Sequence, residues 1–248
     1  MATSATTVAD GQEMTGEPVA LQYFDYHEPG GPEGDHWDRI TKEAELIAGS
    51  GYDAVWVQPP MEPVTAQSNG YNPSDHLTWD SPLGSEDAFE RMVEELGDAR
   101  HGEVGVYIDA IVNHTGTEDP GDGAYAHLDD PEYYHHPEAG GRTDMQLFDL
   151  WDLDQTHETV SRHLRAYVEK IAQMGCAGVR WDAAKHVPQW FFDEYLNEWV
   201  DDHDFFGVAE VFDGDVDFLQ SYVDTGMNCF DYPLFFPIPD RFPAAGDS

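Results

Sequence analysis

Short apolar runs alternate with amphipathic segments along most of the chain, and this alternation predicts its secondary structure. The apolar runs predict strands at 19–24, 53–60, 103–114, 176–184 and 204–212. The amphipathic segments predict helices at 35–51, 85–102, 157–175, 187–200 and 216–226. In the second helix Ser85 is a candidate N-cap, and one face carries the apolar residues Phe89, Met92, Val93 and Leu96.

Strands that alternate with helices predict an α/β fold, in which a parallel sheet is covered by helices. A doubly wound sheet and a (β/α)8 TIM barrel both satisfy this pattern. The barrel is favoured because polar residues lie at the ends of the third, fourth and fifth predicted strands, where they would meet on the active face of a barrel. These residues are Asp109, Asn113 and His114, then Arg180, Asp182, Lys185 and His186, then Glu210.

Residues 115–155 interrupt the alternation. They are rich in Gly, Asp, Pro and His, have little periodicity, and are too many for a simple turn. We therefore expect an inserted loop domain after the third strand. The predicted domains are 1–114, the first part of a barrel, 115–155, the inserted subdomain, and 156–248, the continuation of the barrel.

The charge of the chain narrows its possible partners. Its 248 residues contain 50 Asp and Glu against 11 Lys and Arg, a formal net charge of −39. Such a surface repels nucleic acids and anionic membranes, and its self-repulsion suggests a halophilic protein that folds in concentrated salt. Residues 1–16 lack the features of a signal peptide, so a cytoplasmic location is expected. Cys176 and Cys229 are expected to be separate buried thiols.

Asp182 and Glu210 end neighbouring predicted strands, so they are expected to face one cavity. Two carboxyls ~5–5.5 Å apart suit retaining glycoside hydrolysis, in which one attacks the anomeric carbon and the other protonates the leaving oxygen. Arg180 points the same way as Asp182 and favours its ionised form, while the apolar neighbours of Glu210 favour the protonated form. Any one of these residues is more simply explained as an ion pair or a solvated strand end, so the hypothesis depends on the set.

Five sequence motifs, at 69–76, 109–114, 150–154, 178–187 and 209–214, together resemble the α-amylase family of retaining glycosidases. GVRWDAAKHV (178–187) resembles the family's nucleophile region, Gly-x-Arg-x-Asp-x-x-Lys-His. DAIVNH (109–114) resembles the region after strand three, and AEVFDG (209–214) resembles the general-acid region after strand five. NGYNPSDH (69–76) and LWDLD (150–154) resemble two further family motifs. Each motif alone is weak, but five in the expected order are specific, and they extend the resemblance over about residues 19–240.

The resemblance implies a role for each matching residue. Asp182 is implied as the nucleophile, Glu210 as the general acid/base, and Arg180 as the residue that orients Asp182. In the reacting subsite, His114 is implied to bond to the sugar and Tyr71 to stack on it. Lys185 and His186 are implied to contact a glucan, such as starch or a maltooligosaccharide, on the leaving-group side. Asp109 is implied to be largely structural.

The resemblance also implies a Ca²⁺ ion, which prefers oxygen ligands. Its ligands would be the Asn113 side-chain oxygen, the Asp152 carboxylate and the His186 backbone oxygen. The ion would clamp the 115–155 insertion to the barrel. Asp144, Asp149 and Asp154 are further candidates for the carboxylate ligand. The alternative interpretation is that the acidic loop is solvated surface and binds no ion. The His135-His136 pair has neither a nearby Cys nor helical spacing, so we assign it to the surface rather than to zinc.

The chain departs from the family pattern after Glu210. The resemblance implies a third catalytic Asp, preceded by a pair such as Asn-His, after strand seven, and no His-Asp pair follows Glu210. We therefore expect an incomplete barrel with the first five to six strands, truncated before strands seven and eight, that is inactive or nearly so alone. The leading function is cleavage of internal α-1,4-glucosidic bonds in starch-like glucans. A 4-α-glucanotransferase and a non-catalytic glucan-binding fragment remain alternatives, and a metal-dependent barrel hydrolase is a weaker one.

Overall fold

The computed structural model describes residues 18–24, 34–65, 69–136 and 138–238. Its strands are β1 (Ala20–Gln22), β2 (Ala54–Val57), β3 (Glu62–Pro63), β4 (Pro73–Asp75), β5 (Gly105–Ala110), β6 (Gly178–Trp181), β7 (Phe206–Ala209) and β8 (Asn228–Cys229). Its α-helices are α1 (His36–Gly49), α2 (Glu86–Gly97), α3 (Glu158–Gln173), α4 (Gln189–Phe191), α5 (Asn197–Asp202), α6 (Val216–Val223) and α7 (Tyr232–Phe235). Shorter helical turns lie at Pro131–Tyr133, Ala184–His186 and Phe192–Leu196, and the last is a π-helix.

The main sheet has six strands in the order β1-β2-β5-β6-β7-β8, and every neighbouring pair is parallel. All four residues of β6 are buried, as expected for a strand with both faces covered. The helices supply that cover with one apolar face each. In α2 this face includes Phe89, Met92 and Leu96, and Ser85 caps the helix by accepting a hydrogen bond from the Ala88 amide at 3.3 Å. The predicted N-cap is confirmed.

The sheet is curled rather than flat. Trp56 lies on β2 and Phe230 directly follows β8, four strand positions away in the sheet order. In a flat sheet with ~4.8 Å between strands, their rings would be far apart. Their centroids instead lie 5.7 Å apart, so the six strands close around a common interior. The described residues therefore form the incomplete (β/α)8 barrel that the sequence predicts.

Glycine in β6 permits close packing of the neighbouring strands. Gly178 pairs in register with Tyr107 of β5 and Phe206 of β7, whose rings stack with centroids 5.1 Å apart. A Cβ at position 178 would lie 2.5 Å from the Phe206 carbonyl oxygen and 2.7 Å from the Tyr107 ring. The first residue of the GVRWD motif thus has a packing role that sets the spacing of the strands beneath the site.

Some predicted elements differ from the observed ones. The predicted helix 187–200 is divided into α4, a π-helical turn and α5. The sequence analysis did not predict the short β3–β4 hairpin, β8 or α7. Two- and four-residue elements have too few positions to show a hydrophobic period, and the hairpin contains two prolines.

The insertion 115–155 packs on the barrel with little regular structure. Its buried residues include Tyr125, Leu128 and Tyr134. It is fastened to the end of β5 by a bridge between His114 and Asp152, where the Leu153 amide donates to the Asn113 carbonyl at 2.8 Å. These contacts bring the LWDLD motif beside the DAIVNH motif. The division into three domains stays a prediction.

Among the helices of the described ranges, none has the length and apolar character needed to cross a bilayer. Residues 1–16, which carry the prediction about a signal peptide, lie outside the described part of the chain.

Candidate active site

The carboxyl ends of three adjacent strands bring four charged side chains together. Asp109 lies near the end of β5 and pairs in register with Arg180 of β6. Asp182 follows β6 by one residue, and Glu210 directly follows β7. Parallel strands end on the same edge of a sheet, so these residues share one face of the barrel, as the sequence predicts.

One guanidinium connects all three carboxylates. Arg180 Nη1 donates to Asp182 Oδ1 at 2.6 Å and also to Asp109 Oδ1. Arg180 Nη2 lies 2.6 Å from Glu210 Oε1. The Arg180 side chain is only 8% exposed, so these charges interact with little solvent screening. Asp182 and Glu210 are therefore held within reach of one another by a single planar group.

Burial and mutual repulsion shift the protonation of this cluster. Burial raises the pKa of Asp109 to about 8; Arg180 opposes the shift, and Asp182 adds to it. Burial likewise raises the pKa of Glu210, again opposed by Arg180 and reinforced by Asp182. Burial opposes the charge of Arg180 itself, but the three surrounding carboxylates raise its pKa overall. The direction for Glu210 is the one that its apolar neighbours predict, and it suits a group that must carry a proton.

Two contacts orient Glu210, and the sequence analysis did not anticipate either. Ala183 has a left-handed backbone conformation, with φ of 49°, and its amide donates to Glu210 Oε2 at 3.2 Å. Such a conformation is uncommon outside glycine, and it occurs here directly after Asp182. Tyr232 donates its hydroxyl hydrogen to Glu210 Oε1 at 3.3 Å. Nothing in the sequence around Ala183 or Tyr232 indicates that either residue contacts Glu210.

Tyr71, in the loop before β4, and His114, after β5, lie beside the carboxyl cluster. The Tyr71 hydroxyl donates to Asp109 Oδ2 at 2.8 Å. His114 Nε2 donates to the Tyr71 carbonyl at 3.1 Å, and burial lowers the pKa of the His114 imidazole. The predicted stacking residue and the predicted sugar-bonding residue are thus adjacent and connected to Asp109. Their roles toward a sugar stay predictions.

Lys185 and His186 lie on the opposite side of Asp182, in a short helical turn. Lys185 Nζ donates to the Phe212 carbonyl at 3.0 Å, which places it beside the loop after Glu210. His186 Nδ1 donates to the Arg142 carbonyl at 2.8 Å, so it connects the barrel to the insertion. The structure therefore brings all four predicted substrate-contacting residues, Tyr71, His114, Lys185 and His186, near the carboxyl cluster.

The predicted calcium ligands fit an oxygen-binding cation. Asn113 and Asp152 are buried on adjoining segments. Within the described residues, neither Asn113 Oδ1 nor Asp152 Oδ1 has a hydrogen-bond partner. Two buried oxygens without donors are costly unless a cation or water satisfies them. Across the described ranges, no three His, Cys, Asp or Glu side chains are grouped to hold a metal. The predicted calcium site needs no such group, because Asp152 is its only carboxylate and its other ligands are the Asn113 amide oxygen and the His186 backbone oxygen.

His135, predicted as a surface histidine, is only partly exposed. Its side chain is 20% exposed, and Nδ1 donates to Asp152 Oδ2 at 2.6 Å. Nε2 lies 3.6 Å from Asp154 Oδ1. The interaction with Asp152 raises the pKa of the His135 imidazole. The sequence distance between His135 and Asp152 hides this contact, which the bridge between Tyr134 and Leu153 creates. His136 is exposed, as predicted.

Comparison with protein families adds independent information to this geometry. A family model for the α-amylase catalytic domain matches residues 9–146, more than half of the chain. A β/α-amylase of Paenibacillus polymyxa is 27% identical over 226 residues, which cover 84% of this chain and 18% of that protein. A cyclomaltodextrin glucanotransferase of Paenibacillus macerans is 25% identical over 250 residues, which cover 84% of this chain and 34% of that protein.

The fold is also found in solved structures. An α-amylase from Geobacillus thermoleovorans, solved in complex with acarbose, superposes with a TM-score of 0.76 at 22% identity. The match covers 89% of this chain and 53% of that chain. At this identity the likeness shows the barrel fold alone. The chain spans about half, or less, of the length of these relatives.

Proposed function

The chain belongs to the α-amylase family of glycoside hydrolases, and from that premise we propose that Asp182 and Glu210 cleave internal α-1,4-glucosidic bonds with retention of configuration. The observation that carries this proposal is the guanidinium of Arg180, which lies 2.6 Å from both Asp182 Oδ1 and Glu210 Oε1. A single bridging group is compatible with the ~5–5.5 Å between carboxyl groups that retention requires.

In the proposed first step, Asp182 attacks the anomeric carbon while Glu210 donates its proton to the glycosidic oxygen. A C–O bond to Asp182 forms, and the bond to the leaving sugar breaks with its electron pair on that oxygen. In the second step Glu210 accepts a proton from water, which attacks the same carbon and releases Asp182. The raised pKa of Glu210 suits its role as the acid, and the hydrogen bond from Arg180 orients the Asp182 carboxyl for attack.

The cleft has two sides that suit the two parts of a glucan. Tyr71 and His114 would hold the sugar whose bond is cleaved. An aromatic ring matches the flat apolar face of a sugar. To hydrogen-bond a sugar hydroxyl, the His114 imidazole would exchange its present hydrogen bond to the Tyr71 carbonyl for one to the sugar. Lys185 and His186 lie toward the insertion and would contact the leaving part of the chain. This arrangement supports starch or a maltooligosaccharide as the substrate.

We also propose that Asn113, Asp152 and the backbone of His186 hold Ca²⁺. The ion would supply positive charge to the two unpartnered buried oxygens and fasten the insertion to β5. His135 would orient Asp152 from behind through its hydrogen bond.

A glucanotransferase is the second candidate function. It would use the same two carboxyls and transfer the sugar to another glucan rather than to water. The similarity to a cyclomaltodextrin glucanotransferase supports this second candidate function. Incubation with maltooligosaccharides separates the two functions, because transfer produces chains longer than the substrate and hydrolysis does not.

The direct test is to detect the first half of the reaction. The substrate is α-maltosyl fluoride, whose leaving group needs little acid assistance, so that attack by Asp182 can be followed without the acid. In molar salt, the Glu210→Gln chain should release fluoride once per molecule and retain a maltosyl group on the peptide that contains Asp182. Mass spectrometry of a digest measures the attachment.

Two matched variants control this experiment. Asp182→Asn should carry no maltosyl group. Glu90→Gln alters an exposed carboxylate on α2 and should behave like the unaltered chain. Binding to amylose without attachment at Asp182, and unchanged by Glu210→Gln, would instead support the glucan-binding alternative.

A further inference from the structure

A second groove lies outside the carboxylate cleft, between α3 and the segment from α4 to α5. It has a volume of about 870 Å³, and neither Arg180, Asp182 nor Glu210 lines it. Three aromatic residues do line it: Trp190, Tyr195 and Trp199. Trp190 and Tyr195 are partly exposed, and Trp199 forms a buried floor. The groove therefore presents aromatic surface on an otherwise acidic protein.

The π-helical turn places Tyr195 between the two tryptophans. The turn spans Phe192–Leu196 and interrupts what would otherwise be one α-helix. The Tyr195 ring lies 6.1 Å from the Trp190 ring and 5.8 Å from the Trp199 ring, in both cases edge to face. π-Helical turns are rare and are frequent at functional sites. An aromatic cluster built on such an irregularity favours a binding role over simple packing.

Four of the five charged residues that line the groove form ion pairs with one another. Arg162 contacts Glu158 at 2.6 Å, and Arg165 contacts Asp202 at 2.9 Å. The groove thus offers hydrogen-bond donors and acceptors without a strong excess charge of its own. With a formal net charge of −39, the protein also repels anionic ligands. A neutral ligand with both apolar faces and hydroxyl groups matches this chemistry, and a sugar polymer has both.

Shared residues relate the groove to the leaving-group side of the proposed active site, and Trp190 is the first of them. This residue also lines a second cavity of about 540 Å³, together with Arg142. The Arg142 carbonyl accepts the hydrogen bond from His186. We propose that the groove at Trp190 and Tyr195 is an accessory binding site for an α-glucan chain that extends from the cleft. This inference rests on the proposed function for the identity of the ligand.

The experiment measures amylose affinity and active-site chemistry separately in the full chain. Affinity electrophoresis in gels that contain amylose gives the dissociation constant for the polymer. Trp190→Ala and Tyr195→Ala should each weaken it by about tenfold, as truncation of a central aromatic contact typically does. Maltosyl fluoride is too short to span both sites, so its reaction at Asp182 should be unchanged. Tyr52→Ala is the aromatic control, since Tyr52 is partly exposed and lies outside both cavities.

Three outcomes distinguish the hypotheses. A loss of amylose affinity in the groove variants, with Tyr52→Ala unaffected, supports the accessory site. Unchanged affinity in the groove variants overturns it, and the reaction with maltosyl fluoride then decides the proposed function by itself. Arg162→Gln, at a side chain that is 68% exposed, tests the groove without disturbing its packing and should also weaken binding. Weaker binding in Tyr195→Ala alone, accompanied by a lower unfolding temperature, would contradict a binding role.

Discussion

Replacement of Arg180 by Met removes the positive charge that three neighbouring carboxyls share. Arg180 contacts Asp109, Asp182 and Glu210 with a side chain that is only 8% exposed. Methionine retains much of the apolar stem but donates no hydrogen bond. Loss of one member of a buried charge network leaves its partners uncompensated. We therefore expect Arg180→Met to lower the free energy of unfolding by ~3–5 kcal/mol at neutral pH.

The size of this loss should depend on pH. Burial raises the pKa of Asp109 to about 8 and raises that of Glu210, and Arg180 is the main influence that opposes both shifts. Without Arg180 both values rise further. A carboxyl whose folded pKa exceeds its unfolded value contributes stability that is complete below the unfolded pKa and is lost as pH rises through the folded pKa. The deficit of the variant should therefore be small near pH ~5 and grow towards pH ~9.

Urea unfolding, followed by tryptophan fluorescence at one fixed salt concentration, measures the deficit across this pH range. The matched control is Arg91→Met, because Arg91 is 55% exposed and contacts Asp38 at 3.3 Å. An exposed pair contributes ~0–1 kcal/mol, so the control should show a small deficit without a pH trend. A deficit for Arg180→Met that equals the control, or that shrinks as pH rises, would refute this reasoning.

Three further predictions follow from the packing and the site. Gly178→Ala should destabilise the chain by ~1–3 kcal/mol in thermal unfolding, because the new Cβ would lie 2.5 Å from the Phe206 carbonyl oxygen; an unchanged midpoint would count against it. Ca²⁺ added after chelation should raise the unfolding temperature of the unaltered chain and of Asp149→Asn, but not of Asp152→Asn; a rise in all three would exclude Asp152 as a ligand. The alkaline limb of kcat/KM should lie above the ordinary glutamate pKa of ~4.3, because burial raises the pKa of Glu210, and a limb at that value would argue against Glu210 as the acid.

The barrel could be predicted because the sequence patterns that indicate its strands and helices each lie within a few consecutive residues. Strands β5, β6 and β7 are short, largely apolar runs, and charged residues lie at or directly after the end of each of them. The same regularity predicts that Arg180, Asp182 and Glu210 lie on one edge of the sheet. The helix α2 was predictable for a similar reason, since its apolar face and its Ser85 cap are both encoded within a few residues.

The remaining features depend on contacts between distant segments. The left-handed backbone of Ala183 has no signal in its residue type, because alanine ordinarily avoids that conformation. The contact of His135 with Asp152 exists only because the insertion folds back on itself. The π-helical turn at Phe192–Leu196 occurs within a segment whose sequence predicts one continuous helix. Tertiary packing determines each of these features, and it leaves no periodic pattern.

The most direct test of the central claim is a crystal structure of the Glu210→Gln chain with a bound maltooligosaccharide. The account predicts one glycosidic oxygen ~2.6–3.2 Å from the side chain at position 210, with the adjoining anomeric carbon ~3–3.5 Å from an Asp182 carboxylate oxygen. A sugar whose anomeric carbon faces a different carboxyl, or two side chains too far apart to contact one glucose unit, would contradict it.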